Sequence, residues 1–203
     1  MLFPHYLPDA AVQYLPGWLA AADANQLMDA LQADVPWEVH RIRMFGSWVD
    51  SPRLSCWIGD PQACYCYSGA EFVPHPWSPA LQAVRERLQA EDFGRFNSVL
   101  LNRYRDGRDS MGWHSDDEPE LGPAPVIASL SLGAARRFLL RRRDDPALKT
   151  EFMLGHGDLL LMAGQTQRFY QHALPKAARI RGERINLTFR LIHSRALRER
   201  IGP

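Results

Sequence analysis

Between Arg184 and Arg190 the chain alternates without a break: Arg184, Asn186, Thr188 and Arg190 are polar, and Ile185, Leu187 and Phe189 fill the positions between them. A period of two marks a β-strand, because successive side chains point to opposite faces. The apolar side predicts packing against a hydrophobic core. The other side, with two guanidiniums, an amide and a hydroxyl, predicts a second interior that is polar. Further short strands are expected at residues 39–45, from 48 onward, and at 64–67, 98–104, 126–132, 137–142, 152–154 and 159–162, separated by Gly, Pro and Asp. Strands at such close spacing predict a mainly β sandwich or jelly roll. Helical spacing appears in two places. Residues 17–33 carry Leu19, Ala22, Leu27, Met28 and Leu31 and end at Val35-Pro36, while a second helix opens at Ser78 with Pro79 in its first turn and Leu81, Val84 and Leu88 on one side. Both helices are expected to brace one face of the fold.

Composition narrows the class. With 203 residues and 46% hydrophobic content, the chain can bury one sizeable core, and a single domain is the expectation. No stretch approaches the roughly 18 apolar residues of a membrane span, and the N-terminus lacks the pattern of a secretory signal. A soluble, cytoplasmic monomer with no membrane partner is therefore expected. Three cysteines, Cys56, Cys64 and Cys66, fit a reducing compartment, and C-x-C without a second pair is poor support for a zinc site. The formal charge of +1 conceals an asymmetry: residues 1–100 carry 6 basic and 11 acidic side chains, residues 101–203 carry 18 and 12. Nearly all the cations are arginines, whose planar forks suit phosphate and carboxylate, and they cluster at 136–137, 141–143 and 179–184.

The candidate chemistry starts at His114-Ser115-Asp116. In extended backbone the imidazole and the carboxylate share one side, and the acid-, Gly- and Pro-rich stretch from 117 to 125 places the pair where a strand runs into a loop. Two imidazoles and one carboxylate, with coordination positions left open, are the ligand set of a non-haem Fe(II) oxygenase. A third ligand must come from elsewhere, with His156, His172 and His193 as candidates. Two arginines on one face of the 184–190 strand attract a dianion.

Taken together, these residues resemble the AlkB family of Fe(II)- and 2-oxoglutarate-dependent dealkylating dioxygenases. Its H-x-D…H and R-x-N-x-x-x-R signatures match His114, Asp116, His172, Arg184, Asn186 and Arg190, and residues 96–107 are similar to the strand that precedes the triad. Met44-Phe45-Gly46, Ser51-Pro52-Arg53, Tyr65 to Gly69 and Asp116-Asp117-Glu118 resemble the subgroup of human nuclear DNA-repair homologues. The resemblance implies a double-stranded β-helix over about 96–193, preceded over about 1–95 by helices and a nucleotide-recognition lid. It implies Fe(II) on His114, Asp116 and His172. It further implies 2-oxoglutarate with its C5 carboxylate on Arg184, helped by Asn102 and Tyr104, and its C1 end nearer Arg190, with Asn186 and Thr188 on the same strand face. Dioxygen is the cosubstrate. The implied reaction is oxidative demethylation of 1-methyladenine and 3-methylcytosine in single- or double-stranded DNA, releasing formaldehyde and succinate. RNA or tRNA demethylation or hydroxylation, and protein hydroxylation on the same fold, are the alternatives. Tyr67 and His114 would sandwich the extruded base, Tyr65 and Ser68 would line its pocket or touch phosphate, and Asp117 and Glu118 would accept from its exocyclic amine. Phe45 would wedge into the duplex gap, and Arg53 with the arginine clusters would contact phosphates. Ser47 stands where the subgroup often has a basic residue.

Overall fold

A computed structural model describes residues 7–44, 47–63, 65–67 and 70–193, the side chains of 42–48 and 64–72 aside. In chain order the elements begin with β1 (Ala11–Leu15), α1 (Ala21–Asp34), β2 (Arg41–Met44), β3 (Ser47–Asp50), β4 (Leu54–Gly59), β5 (Tyr65–Tyr67), β6 (Ala70–Phe72) and α2 (Pro79–Ala90). Then follow β7 (Ser98–Tyr104), β8 (Met111–His114), β9 (Ile127–Gly133), β10 (Arg136–Arg142), β11 (Lys149–Leu154), β12 (Leu159–Ala163), α3 (Thr166–Phe169), β13 (Tyr170–Leu174) and β14 (Arg184–Arg190). Six strands form one antiparallel sheet in the order β1-β12-β9-β14-β7-β4, and four form a second in the order β11-β10-β13-β8. The pairs β2-β3 and β5-β6 are separate hairpins. This is the two-sheet jelly roll that the strand spacing predicts.

The alternation of β14 builds two interiors. Ile185, Leu187 and Phe189 join Val99, Leu101, Leu130 and Leu132 in a core closed from outside by Leu27 and Leu31 of α1 and Leu81, Val84 and Leu88 of α2. A second apolar cluster, with Phe138, Leu140, Leu160 and Met162, lies between the sheets. The two helices therefore brace one face, as their periodicity predicts. Helix α2 starts as expected, with Ser78 Oγ accepting from Leu81 N at 3.4 Å and Pro79 in the first turn. Helix α1 starts four residues later than the pattern implies. Gly17 takes φ +63°, its N–H donates to Asp158 Oδ1 at 2.8 Å, and Leu19 N–H donates to the Gly157 carbonyl at 3.0 Å. These bonds hold residues 17–19 against the 155–158 turn instead of in a helix.

Two strands of the large sheet had no sequence expectation, β1 and β4. Strand β4 is buried at five consecutive positions from Ser55 to Gly59, so it lacks the alternation that identifies a half-exposed strand. The 155–158 turn offers a test of packing. Gly157 sits at φ +81° with the Leu19 carbonyl where a Cβ would go, so both torsion and space favour glycine. Gly157→Ala should destabilise the fold by roughly 1–3 kcal/mol, read as a lower denaturation midpoint at unchanged m-value.

Candidate metal and cosubstrate site

Register carries the polar face of β14 across the large sheet. Arg184 pairs with Tyr104 on β7, and Asn186 lies between Asn102 on β7 and Ser131 on β9. Residues directly opposite one another share a face, so these polar groups converge on one cavity between the sheets. Arg184 is fully buried, and its Nη2 donates to Ser131 Oγ at 2.8 Å and Asn186 Oδ1 at 2.7 Å. Asn186 in turn donates to Thr188 Oγ1 at 2.9 Å and accepts from Ser129 Oγ at 3.1 Å. The Arg184 guanidinium lies 5.4 Å from the Tyr104 ring centre, and its Nε has no hydrogen-bond partner. All its observed acceptors are neutral. Burial, together with the neighbouring Arg136 cation, brings its pKa down to about 10 against a smaller opposing effect of Tyr104, yet it stays charged at neutral pH. A buried cation with only neutral acceptors and a second cation nearby is costly, and an anionic ligand relieves that cost.

At the other end of the same cavity three side chains converge. His114 on β8 and His172 on β13 are register partners, with ring centres 4.2 Å apart, and ligand atoms of His114, Asp116 and His172 all lie within 4.8 Å of one another. A register shift between His172 and Leu174 falls where the ligand is aimed, a usual place for a bulge. His114 Nδ1 is 2.9 Å from the Gly112 carbonyl and must donate to it, which leaves the Nε2 lone pair for a metal. Asp116 is positioned from both ends: its backbone N–H donates to Gln167 Oε1 at 2.9 Å, and its Oδ1 accepts from Arg190 Nη2 at 2.7 Å.

Burial alone would raise the Asp116 pKa, but the Arg190 guanidinium and then the two imidazoles outweigh it and hold the carboxyl below its usual range. Burial, reinforced by His114, pushes the His172 imidazole down to about 3, so it is neutral and able to ligate at physiological pH. Asp116 Oδ2 and His172 Nδ1 are buried without hydrogen-bond partners. Unsatisfied lone pairs of this kind, in a two-histidine, one-carboxylate set, fit a divalent iron site.

The geometry separates the histidine candidates. His156 Nδ1 accepts from the Gly133 amide at 2.8 Å, and His193 donates its backbone N–H to the Glu120 carbonyl at 2.8 Å; neither belongs to the cluster. Tyr65 and Tyr67 lie on β5, paired with Phe72 and Ala70 of β6. Phe45 and Ser68 lie outside the described residues. Asp117 is exposed and ion-paired with Arg143 at 2.7 Å, and Glu118 is half-buried beside the turn Pro119–Leu121.

Arg53, expected on phosphate, directs its Nε to Asn102 Oδ1 at 2.7 Å, so its observed bond is inward, at the cavity wall. Arg136 requires a correction, because the 136–137 cluster was expected on phosphate and Arg136 is buried. It donates to the carbonyls of Asp106, Asp109 and Pro175 at 2.8–3.1 Å and so pins the 105–109 loop. Ser129, Ser131 and Gln167 had no place in the sequence reading. The two serines had a signal, since Ser129-Leu130-Ser131-Leu132 alternates like β14 itself.

The 2OG-Fe(II) oxygenase superfamily model matches residues 11–190. The chain belongs to that superfamily. It is 40% identical over 187 residues to rat alpha-ketoglutarate-dependent dioxygenase alkB homolog 3, a match covering 88% of this chain and 63% of that protein. It is 38% identical over 181 residues to the bovine DNA oxidative demethylase ALKBH2, covering 84% of this chain and 65% of that one. The chain thus spans a little under two thirds of the length of these relatives. Among solved structures, OsALKBH1 superposes with a TM-score of 0.62 at 18% identity over 92% of this chain and 99% of its own. A 2OG-Fe(II) oxygenase family oxidoreductase from Burkholderia pseudomallei gives 0.56 at 18% identity, over 90% and 86%. At that identity the superpositions speak to the fold, which is the jelly roll. The two groups in the superfamily's name each meet a fitting feature of this cavity: the triad offers unsatisfied ligand atoms for iron, and Arg184 offers a buried cation for a dicarboxylate.

Proposed function

We propose that this 2OG-Fe(II) oxygenase is an oxidative demethylase of alkylated DNA bases, 1-methyladenine and 3-methylcytosine first among them. The observation that carries the reading is one cavity with the His114/Asp116/His172 cluster at one end and the buried Arg184 at the other. His114, Asp116 and His172 would hold Fe(II). Arg184, with Asn102 and Tyr104, would hold the distal carboxylate of 2-oxoglutarate, and Asn186 and Thr188 would form the polar wall between the two ends. Arg190, already bonded to Asp116, would lie nearer the C1 carboxylate. When bound, these groups supply dioxygen activation coupled to decarboxylation of the keto acid to succinate. The protein's share of the reaction is positioning and water exclusion in a cavity buried between two sheets.

The relatives' names supply the substrate class, and the subgroup motifs support it. A methyl on the pairing edge is covered in a duplex, so the base must be extruded to reach the cavity, at a lower cost for a lesion that already cannot pair. Tyr67 would stack against the base opposite His114, Tyr65 and Ser68 would line the pocket, and Asp117 and Glu118 would accept from the exocyclic amine. Phe45 would fill the gap left in a duplex. Hydroxylation of the N-methyl carbon and loss of formaldehyde then restore the base. The test is a turnover screen with iron and 2-oxoglutarate across methylated single-stranded DNA, duplex DNA and RNA, reading succinate and formaldehyde together. Equimolar release on methylated DNA is the expected result. Succinate without formaldehyde on every nucleic acid would sink the reading. Within the same screen, Phe45→Ala should lose more activity on duplex than on single-stranded DNA, and equal losses would remove the wedge.

A further inference from the structure

Strand β8 is an edge of the four-stranded sheet, and its two faces differ in character. His114 points into the cavity, while Trp113, one position earlier, points to the outer face and is 37% exposed. Next to Trp113 on the same strand the backbone is bare: Gly112 is exposed, and a Cβ built there would meet nothing within 4 Å. On the outer face the Arg141 guanidinium lies 4.0 Å from the centre of the Trp113 ring, and its Nη2 is steadied by Gln171 Oε1 at 3.0 Å. Arg141 pairs in register with Lys149 on β11, and Arg137 lies on the same side of β10. On this face Arg137 engages Glu151 at 2.7 Å, and Arg143, the next residue of that parity after Arg141, engages Asp117 at 2.7 Å. Arg141 lies over an exposed indole with Lys149 as its register partner, and neither cation makes an ion pair among the described residues. An aromatic platform flanked by cations is the usual means of holding single-stranded nucleic acid without reading its sequence.

We propose that this outer face, centred on Trp113 and Arg141, is a subsite for the polynucleotide strand flanking the base in the cavity. The inference rests on the nucleic-acid reading above. A strand with one base inserted past His114 must leave over the rim of β8. At Gly112 it can pass close to bare backbone, so that a neighbouring base stacks on Trp113 and its phosphates meet Arg141 and Lys149. The test is the KM for 3-methylcytosine oligonucleotides lengthened stepwise from a trinucleotide, on each side of the lesion in turn. Lengthening on one side should lower KM by roughly five-fold or more. Trp113→Ala and Arg141→Ala should each erase that gain while leaving kcat and KM on the trinucleotide near wild type, and Trp113→Phe should keep most of it. KM values independent of length, or a gain that survives both alanine variants, would overturn the subsite while leaving the demethylase reading intact. If Trp113→Ala also lowers kcat on the trinucleotide, Arg141→Glu decides: loss of the gain in that variant supports the subsite and retention refutes it. No turnover on any length would overturn the demethylase reading and the subsite with it.

Discussion

Replacing Arg184 with alanine should raise the 2-oxoglutarate requirement by about 30-fold or more, with a much smaller effect on the affinity for methylated DNA. The reason lies in what surrounds the guanidinium. It is 2% exposed, with neutral oxygens from Ser131 and Asn186 as its acceptors. A carboxylate arriving there gains a charge-assisted contact in a desolvated site, and losing one partner of such a pair costs roughly 2–5 kcal/mol, each 1.4 kcal/mol being tenfold. Arg184→Lys keeps the charge without the planar fork and should fall between the two. A counterpart appears in the absence of cosubstrate. Arg184→Met removes a buried cation at similar volume, so the cofactor-free protein should melt no lower than wild type, while the rise in Tm that 2-oxoglutarate gives the wild type should vanish. An unchanged cosubstrate requirement in Arg184→Ala would take the residue out of the binding site.

Both faces of β14 were legible in the sequence because the strand is buried on both sides by different materials, one apolar and one polar. Alternation survives where the two faces meet unlike surroundings, whether two interiors of different polarity or an interior and water. Strand β4 is packed on both sides, so nothing in its composition separates its faces, and β13 is buried at Tyr170, His172, Ala173 and Leu174 with no period at all. For that reason residue patterns alone left the third ligand open among His156, His172 and His193. Only the pairing of His172 with His114 across β13 and β8, a contact between segments more than fifty positions apart, distinguishes them. Arg136 was misread for a different reason. An arginine pair counts as surface charge by composition, yet Arg136 shares parity with Phe138 and Leu140, and that parity alone places it inward. The hydrogen bond from Arg53 to Asn102 had no sequence signal, since it depends on the register of β4 against β7.

Asp116→Ala and His114→Ala should both abolish formaldehyde release, and their effects on stability should separate what else each residue does. Either change leaves two of three ligands, so iron content after reconstitution should fall with activity. His114 is only half-buried and its ring is held to a backbone carbonyl, so its removal should change the stability of the metal-free protein by less than about 1 kcal/mol. Asp116 is buried and paired at 2.7 Å with Arg190, itself 4% exposed. Its loss leaves a guanidinium inside the protein without that carboxylate, a change that typically costs on the order of 3–5 kcal/mol. The same pair sets a pH dependence. Asp116 is held below its unfolded pKa, so its contribution to stability is present above the ordinary carboxylate range and is lost as pH falls through the lowered value. Wild type should therefore lose stability on acidification more steeply than Asp116→Ala, which no longer has that proton to take up. Denaturation midpoints of wild type and both variants without metal, measured from neutral pH down through the carboxylate range, test both expectations. Equal stability loss in the two variants would mean that the Asp116–Arg190 pair contributes nothing beyond the metal, and retained turnover in either would refute the triad.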